Sequence, residues 1–183
     1  MIRPFVLLAL LFYLPVDTAL SETAAEHELK AVFLYNFANY IAWPDKSFQT
    51  KDSPFNYCLL GESSINTSLK AVVANEMIKG RKVQVLELMD KSRLSACHIL
   101  FIHQEEDGYP AEIMQKLATE SVLTVSDDSS FIPSGGTICL LQKKRKIDLL
   151  ISMDAIEQGE LKVSSKLLRL AKRIPPDREM PGQ

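Results

Sequence analysis

The chain carries no local signature of a catalytic centre. It has no G-x-S-x-G elbow, no phosphate-cradling glycine loop and no H-E-x-x-H zinc helix. With no nucleophile or oxyanion site to name, an enzyme is not expected, and neither is a cofactor. Histidine is scarce, at three residues, too few and too scattered for a metal site. His98 alternates into an apolar strand and reads as a satisfied core residue, while His27 lies on a charged, solvated stretch. Charge of one sign is also lacking: the formal net charge is −2. The densest basic run, Lys143-Lys144-Arg145-Lys146, sits between two strand-like segments and reads as a solvated turn. It is too short and isolated for a nucleic-acid footprint.

What the sequence does contain begins with a leader. Met1-Ile2-Arg3 gives a basic start, Pro4 to Leu14 is apolar but too short to span a bilayer, and Asp17-Thr18 is a polar break. Ala19 and Ser21 supply the small residues of a cleavage site, so residues 1–21 read as a signal peptide cleaved near Ser21. An uncleaved N-terminal anchor is the alternative. No cysteine follows closely, which excludes lipoprotein processing. The remaining chain is about 160 residues, one domain over 22–175, with a flexible, Pro-bearing tail at 176–183. Export places its three cysteines where disulfides form. Cys58 and Cys97 sit in strand-like runs, Phe55–Leu60 and Cys97–Ile102, and look placed for a bridge. Cys139, left over, reads as a small buried hydrophobe before a reactive thiol.

The apolar periodicity predicts a helix over 23–42, with a stripe of Leu29, Val32, Phe33, Asn36, Phe37, Tyr40 and Ile41. Pro44 stops it and pushes Trp43 to extended backbone. Phe48 stands alone in a polar loop. Trp43 is either a core anchor, the favoured reading, or with Phe48 part of a partner surface. Beyond the loop, strands are predicted at 55–60, 82–88, 97–102, 121–125, 137–141 and 147–152. Helices follow Ser63 or Ser64, span 110–118, and start at Asp154 and at Ser164-Ser165, the last carrying Leu170, Ala171 and Ile174 inward.

This alternation implies a three-layer α/β fold with a mainly parallel sheet, flavodoxin- or Rossmann-like, and helices on both faces. The two late strands add an antiparallel edge pair. Bridged Cα atoms lie within about 7 Å, and neighbouring strands are about 4.8 Å apart. If Cys58 and Cys97 are bridged, their strands are therefore adjacent and the intervening strand lies outside, the order 2-1-3. The carboxyl ends of these strands then bring together Glu62, His103, Glu105, Ser126 and Asp127. Such a cluster could hold a cation or a small polar ligand. The plainer reading is that these residues cap helices, turn the chain and face water.

The residues in order resemble the YfiR/HmsC-like family of periplasmic proteins. The landmarks are Phe33-Leu34-Tyr35-Asn36-Phe37-Ala38 with Trp43-Pro44, Cys58-Leu59-Leu60-Gly61, Gly80-Arg81 and Cys97-His98-Ile99-Leu100-Phe101-Ile102. Leu123-Thr124-Val125-Ser126-Asp127, Phe131 with Gly135-Gly136, and Asp154-Ala155 through Ser164-Ser165-Lys166-Leu167-Leu168 complete them. The resemblance implies a periplasmic repressor that binds the periplasmic region of an inner-membrane diguanylate cyclase and keeps cyclic di-GMP low. It also implies sequestration by an outer-membrane lipoprotein. A homodimer is a further partner to consider. The family's first disulfide maps onto Cys58 and Cys97. Its second would end near Cys139, but the loop from Asp127 to Gly136 contains no cysteine, so a redox role needing two bridges does not carry over. A periplasmic small-ligand sensor using the carboxyl-edge residues is the alternative function.

Overall fold

The computed structural model describes residues 18–89, 92–103, 109, 111–143 and 146–174. The leader to residue 17, Glu105, and the tail at 176–183 lie outside them. In chain order the first elements are α1 (Thr18–Tyr40), β1 (Ile41–Ala42), β2 (Phe55–Leu60), α2 (Ser64–Val72), β3 (Met77–Ile78) and β4 (Arg81–Leu88). Then come β5 (Ile99–Ile102), α3 (Ala111–Ala118), β6 (Leu123–Ser126), β7 (Ile138–Lys143) and β8 (Lys146–Ser152). The chain closes with α4 (Met153–Gln158), β9 (Lys162–Val163), α5 (Ser165–Leu170) and β10 (Lys172–Ile174).

The main sheet runs β10-β8-β7-β6-β5-β2-β4-β3. Its centre, from β4 to β7, is parallel. Strand β2 lies between β4 and β5, which is the 2-1-3 order. The hairpin of β7 and β8 is antiparallel, as the sequence suggests. Two short strands extend the sheet beyond expectation: β10 runs parallel to β8 on one edge, and β3 antiparallel to β4 on the other. The helix predicted to continue past Ser165 thus ends early. Leu170 is 67% exposed, and Lys172–Ile174 gain sheet hydrogen bonds instead.

Alternation along the strands builds two main cores, with a smaller cluster of Ile132, Cys139, Leu150 and Ile174 beside them. Tyr57 and Leu59 face one side, where they meet Leu34 and Phe37 of α1 and Ile65 and Leu69 of α2. Cys58, Leu100 and Ile102 face the other, under Ile113, Met114 and Leu117 of α3. Caps set helix starts: Ser63 accepts from the Ile65 N–H, Ser152 from Ala155 and Ser164 from Leu167. No helix lies between β6 and β7. The turn there buries Phe131 completely, and Gly136 is required because a Cβ would overlap the Phe131 ring.

The predicted stripe of α1 is met only in part: Phe37 and Ile41 are buried and Phe33 and Tyr40 pack against the core, but the inward face is turned toward Ala31, Leu34 and Ala38. Lys30, Ala31, Leu34, Phe37, Ala38 and Ile41 are buried, whereas Leu29 and Val32 are 41% and 42% exposed. From Ala31 to Ile41 the helix is apolar nearly all round, so periodicity alone permits two inward faces. The face carrying Ala31 and Ala38 lets the helix approach closely, and a partner for Lys30 makes its burial tolerable.

Candidate functional site

The parallel order puts the ends of β2, β5 and β6 at one edge, where Glu62, His103, Ser126 and Asp127 lie. Glu62 and His103 are exposed. His103 donates its backbone N–H to the Leu60 carbonyl at 3.0 Å, extending the ladder. A Cβ on Gly61 would stand 3.1 Å from that of His103, and the φ of +90° at Gly61 favours glycine again. Ser126 is fully buried. Its hydroxyl donates to the Ile102 carbonyl at 2.7 Å and therefore accepts from the Tyr109 hydroxyl at 2.6 Å.

Asp127 meets Lys30 at 2.7 Å, and Lys30 also meets Glu26 at 2.5 Å. Burial alone would lower the Lys30 pKa, but its hydrogen bonds and charge contacts with the two carboxylates outweigh burial and raise it. Ser126 and Asp127 are thus committed to internal partners, and Lys30 is a member of this edge that the sequence did not reveal. A buried lysine with its partner 97 residues away leaves no local pattern. Among the described residues no group of three or more His, Cys, Asp or Glu side chains could hold a metal ion.

At the opposite edge an aromatic cluster fixes the loop before β2. Trp43 is half-buried, stands edge-on to Phe55 at 5.0 Å between ring centres, and donates its indole N–H to the His98 carbonyl at 3.1 Å. Phe48 stacks on His98 at 4.5 Å, and the Arg81 guanidinium lies 3.9 Å over the Phe48 ring. Arg81 also donates to the carbonyls of Thr50, Lys51 and Ser53. Trp43 and Phe48 therefore hold the loop against the sheet. Arg81 organises that loop from a strand start, a role no spacing rule would have assigned.

His98 is satisfied on both nitrogens. Its Nδ1 accepts from the Asn56 backbone N–H at 3.0 Å, so Nε2 carries the proton and donates to the Ser47 carbonyl at 3.1 Å. Burial, helped by the Arg81 charge and opposed by the Ser47 contact, lowers its pKa to about 4. The unfolded histidine, near 6.5, binds a proton that the folded one refuses, so stability falls as pH drops through that window. Between pH 7 and pH 5 the loss is about 2 kcal/mol from this group. Urea midpoints at the two pH values check it. A His98 ring that titrates near 6.5 by NMR would refute the assignment.

Cys58 and Cys97 form a disulfide with a Cα–Cα distance of 5.7 Å, tying β2 to the start of β5. Cys139 is free and buried, its Sγ 3.2 Å from the Asp128 carbonyl. Burial, with the nearby charges of Asp127 and Asp128, pushes its thiol up to about 12, which makes it a poor nucleophile.

The fold is a three-layer α/β domain with a flavodoxin-type strand order, braced by one disulfide, in which Asp127 at the carboxyl edge is engaged internally by Lys30. The chain belongs to the YfiR/HmsC-like family, whose match covers residues 27–172. That span takes in most of α1 and every element through α5, and the family is one of periplasmic regulators. No curated protein matches the chain significantly.

Proposed function

We propose that this protein is a periplasmic repressor that binds the periplasmic sensor region of an inner-membrane diguanylate cyclase and holds it inactive. Cyclic di-GMP and surface attachment then stay low while the repressor is present. The observation that carries this reading is the family match over residues 27–172. The leader at residues 1–21, cleaved near Ser21, would deliver the chain to the periplasm. An outer-membrane lipoprotein that sequesters it would relieve repression, and a homodimer would do so only by covering the same surface.

The partner surface is assigned to the outer face of α1, where Leu29 and Val32 stand exposed one turn apart. Trp43 and Phe48 are better used inside the protein. Glu62 and His103 remain a secondary ligand candidate at the carboxyl edge, apart from the internally paired Ser126 and Asp127.

Deleting the gene is expected to raise cyclic di-GMP and attachment. The effect should scale inversely with periplasmic amount and should be mimicked by a leaderless chain kept in the cytoplasm. L29D together with V32D should reproduce the deletion phenotype with the protein still folded, whereas E62A with H103A should leave repression intact. Unchanged cyclic di-GMP on deletion, under conditions where the protein is made, would show the reading to be wrong.

A further inference from the structure

One end of the main sheet collects cations from two distant parts of the chain. Lys143 ends β7 and Lys146 begins β8, and the register sets them directly opposite each other. Like charges facing across a ladder are destabilising, so the hairpin end keeps a local conflict. Strand β10 brings a third lysine. It pairs Lys172 with Leu150 of β8, and the Lys172 ammonium reaches the Asp148 carboxylate at 2.8 Å. Lys143 stands 3.7 Å from the same carboxylate, so one aspartate serves two lysines. Its hydrogen bond to Lys172 outweighs partial burial and, with the charges of Lys172 and Lys143, holds its carboxyl below the ordinary carboxylate range.

The segment leading into β10 continues the charge. Lys166 and Arg169 of α5 and Arg173 of β10 are exposed, as is Lys146, and none of the four has an ion-pair partner among the described residues. Asp154 and Glu157 follow the other end of β8, in α4. Either basic run alone is ordinary solvated surface. The fold sums them, because residues 143–148 and 166–173 meet only where β10 adds to β8. The surplus is local, since the chain as a whole carries a formal net charge of −2.

Leu170 lies between Arg169 and Lys172 in the chain and is 67% exposed. This leucine narrows the class of partner. An acidic peptide or a free anion would satisfy the cations and leave Leu170 in water. An anionic bilayer draws lysine and arginine to its headgroups and takes an apolar side chain into the boundary beneath them.

We propose that the end of the sheet formed by the β7–β8 hairpin, α5 and β10 docks on the surface of an anionic phospholipid membrane. This goes beyond the repressor reading and does not rest on it. Vesicle binding is read on the purified protein, so its failure would leave the deletion experiment untouched.

The test floats the chain from Glu22 onward with phosphatidylcholine vesicles, with and without about one-third phosphatidylglycerol. Binding is expected to the anionic vesicles only, and it should be lost as added salt shortens the reach of the charges. K146E with R169E should weaken it at least twentyfold, about fivefold for each cation lost. L170S should weaken it about tenfold, the low end for burying one leucine. K51E with K82E makes the same change of charge at exposed residues near the opposite edge of the sheet, and should leave affinity within about twofold. All these side chains are exposed, so the unfolding temperature should stay at the wild-type value. Absence of binding to the anionic vesicles overturns the proposal, as does binding that K51E with K82E weakens as much as K146E with R169E. Vesicle binding that L170S leaves unchanged, matched by equal affinity for polyglutamate, would assign the patch to an acidic protein partner and overturn it as well.

Discussion

Replacing Trp43 with alanine is expected to lower the free energy of unfolding by about 3 kcal/mol, the low end for loss of a large aromatic because the side chain is only half-buried. The loss comes mainly from packing. The His98 carbonyl that accepts the indole N–H also accepts the Leu123 N–H at 2.9 Å, so it is not orphaned. What disappears is the edge-on contact with Phe55. W43F keeps a ring against Phe55 and should cost about 1 kcal/mol. Chemical denaturation of both variants measures this. A loss under about 1 kcal/mol for W43A would place Trp43 functionally on the surface and reopen its role in partner binding.

Removing the disulfide is expected to cost about the same or slightly more. Cys58 and Cys97 are separated by 39 residues, and in the chain-entropy model a loop of that size is worth about 4 kcal/mol. The native fold should survive the loss. Cys58 already pairs in register with Leu100, and the ladder between β2 and β5 maintains their spacing without sulfur. C58A with C97A should therefore unfold cooperatively at a lower denaturant concentration while keeping the wild-type circular dichroism spectrum. Its periplasmic level should fall before any specific loss of repression. Equal stability of oxidised and reduced wild-type protein would contradict this assignment.

The parts of the fold legible in the sequence were those written in local patterns or fixed by one long-range constraint. Strand and helix alternation from Phe55 onward follows from periodicity and from serine caps such as Ser63 and Ser164. The adjacency of β2 and β5 followed from what a Cys58–Cys97 bridge permits. The face of α1 is legible only in part, because a helix apolar on most sides has no unique moment, and the Asp127 partner that permits Lys30 to be buried stands 97 residues away. Strands of two or three residues, such as β1, β9 and β10, carry too few side chains to show a period. The carboxyl edge was predicted as a meeting of loops, but not that Ser126 and Asp127 would be used internally. A cavity at the amino ends of β2, β5 and β6 has no local signature, since segments carrying Ser47, Asn56, His98 and Glu120 are brought together only by the sheet.

The position of α1 also dictates an order of events. The helix is among the first parts of the chain to be made, yet β1 at its end pairs Ile41 with Val163, and Lys30 waits for Asp127. Domains generally fold as units, and this helix cannot be sealed until nearly the whole chain is available. Until then Leu34, Phe37 and Ile41 have no complete cover. In the exported form proposed above, the chain would arrive with the apolar side of this helix in water for the full duration of transit. That nascent species, more than the finished protein, would then be the one open to holding chaperones and to proteases.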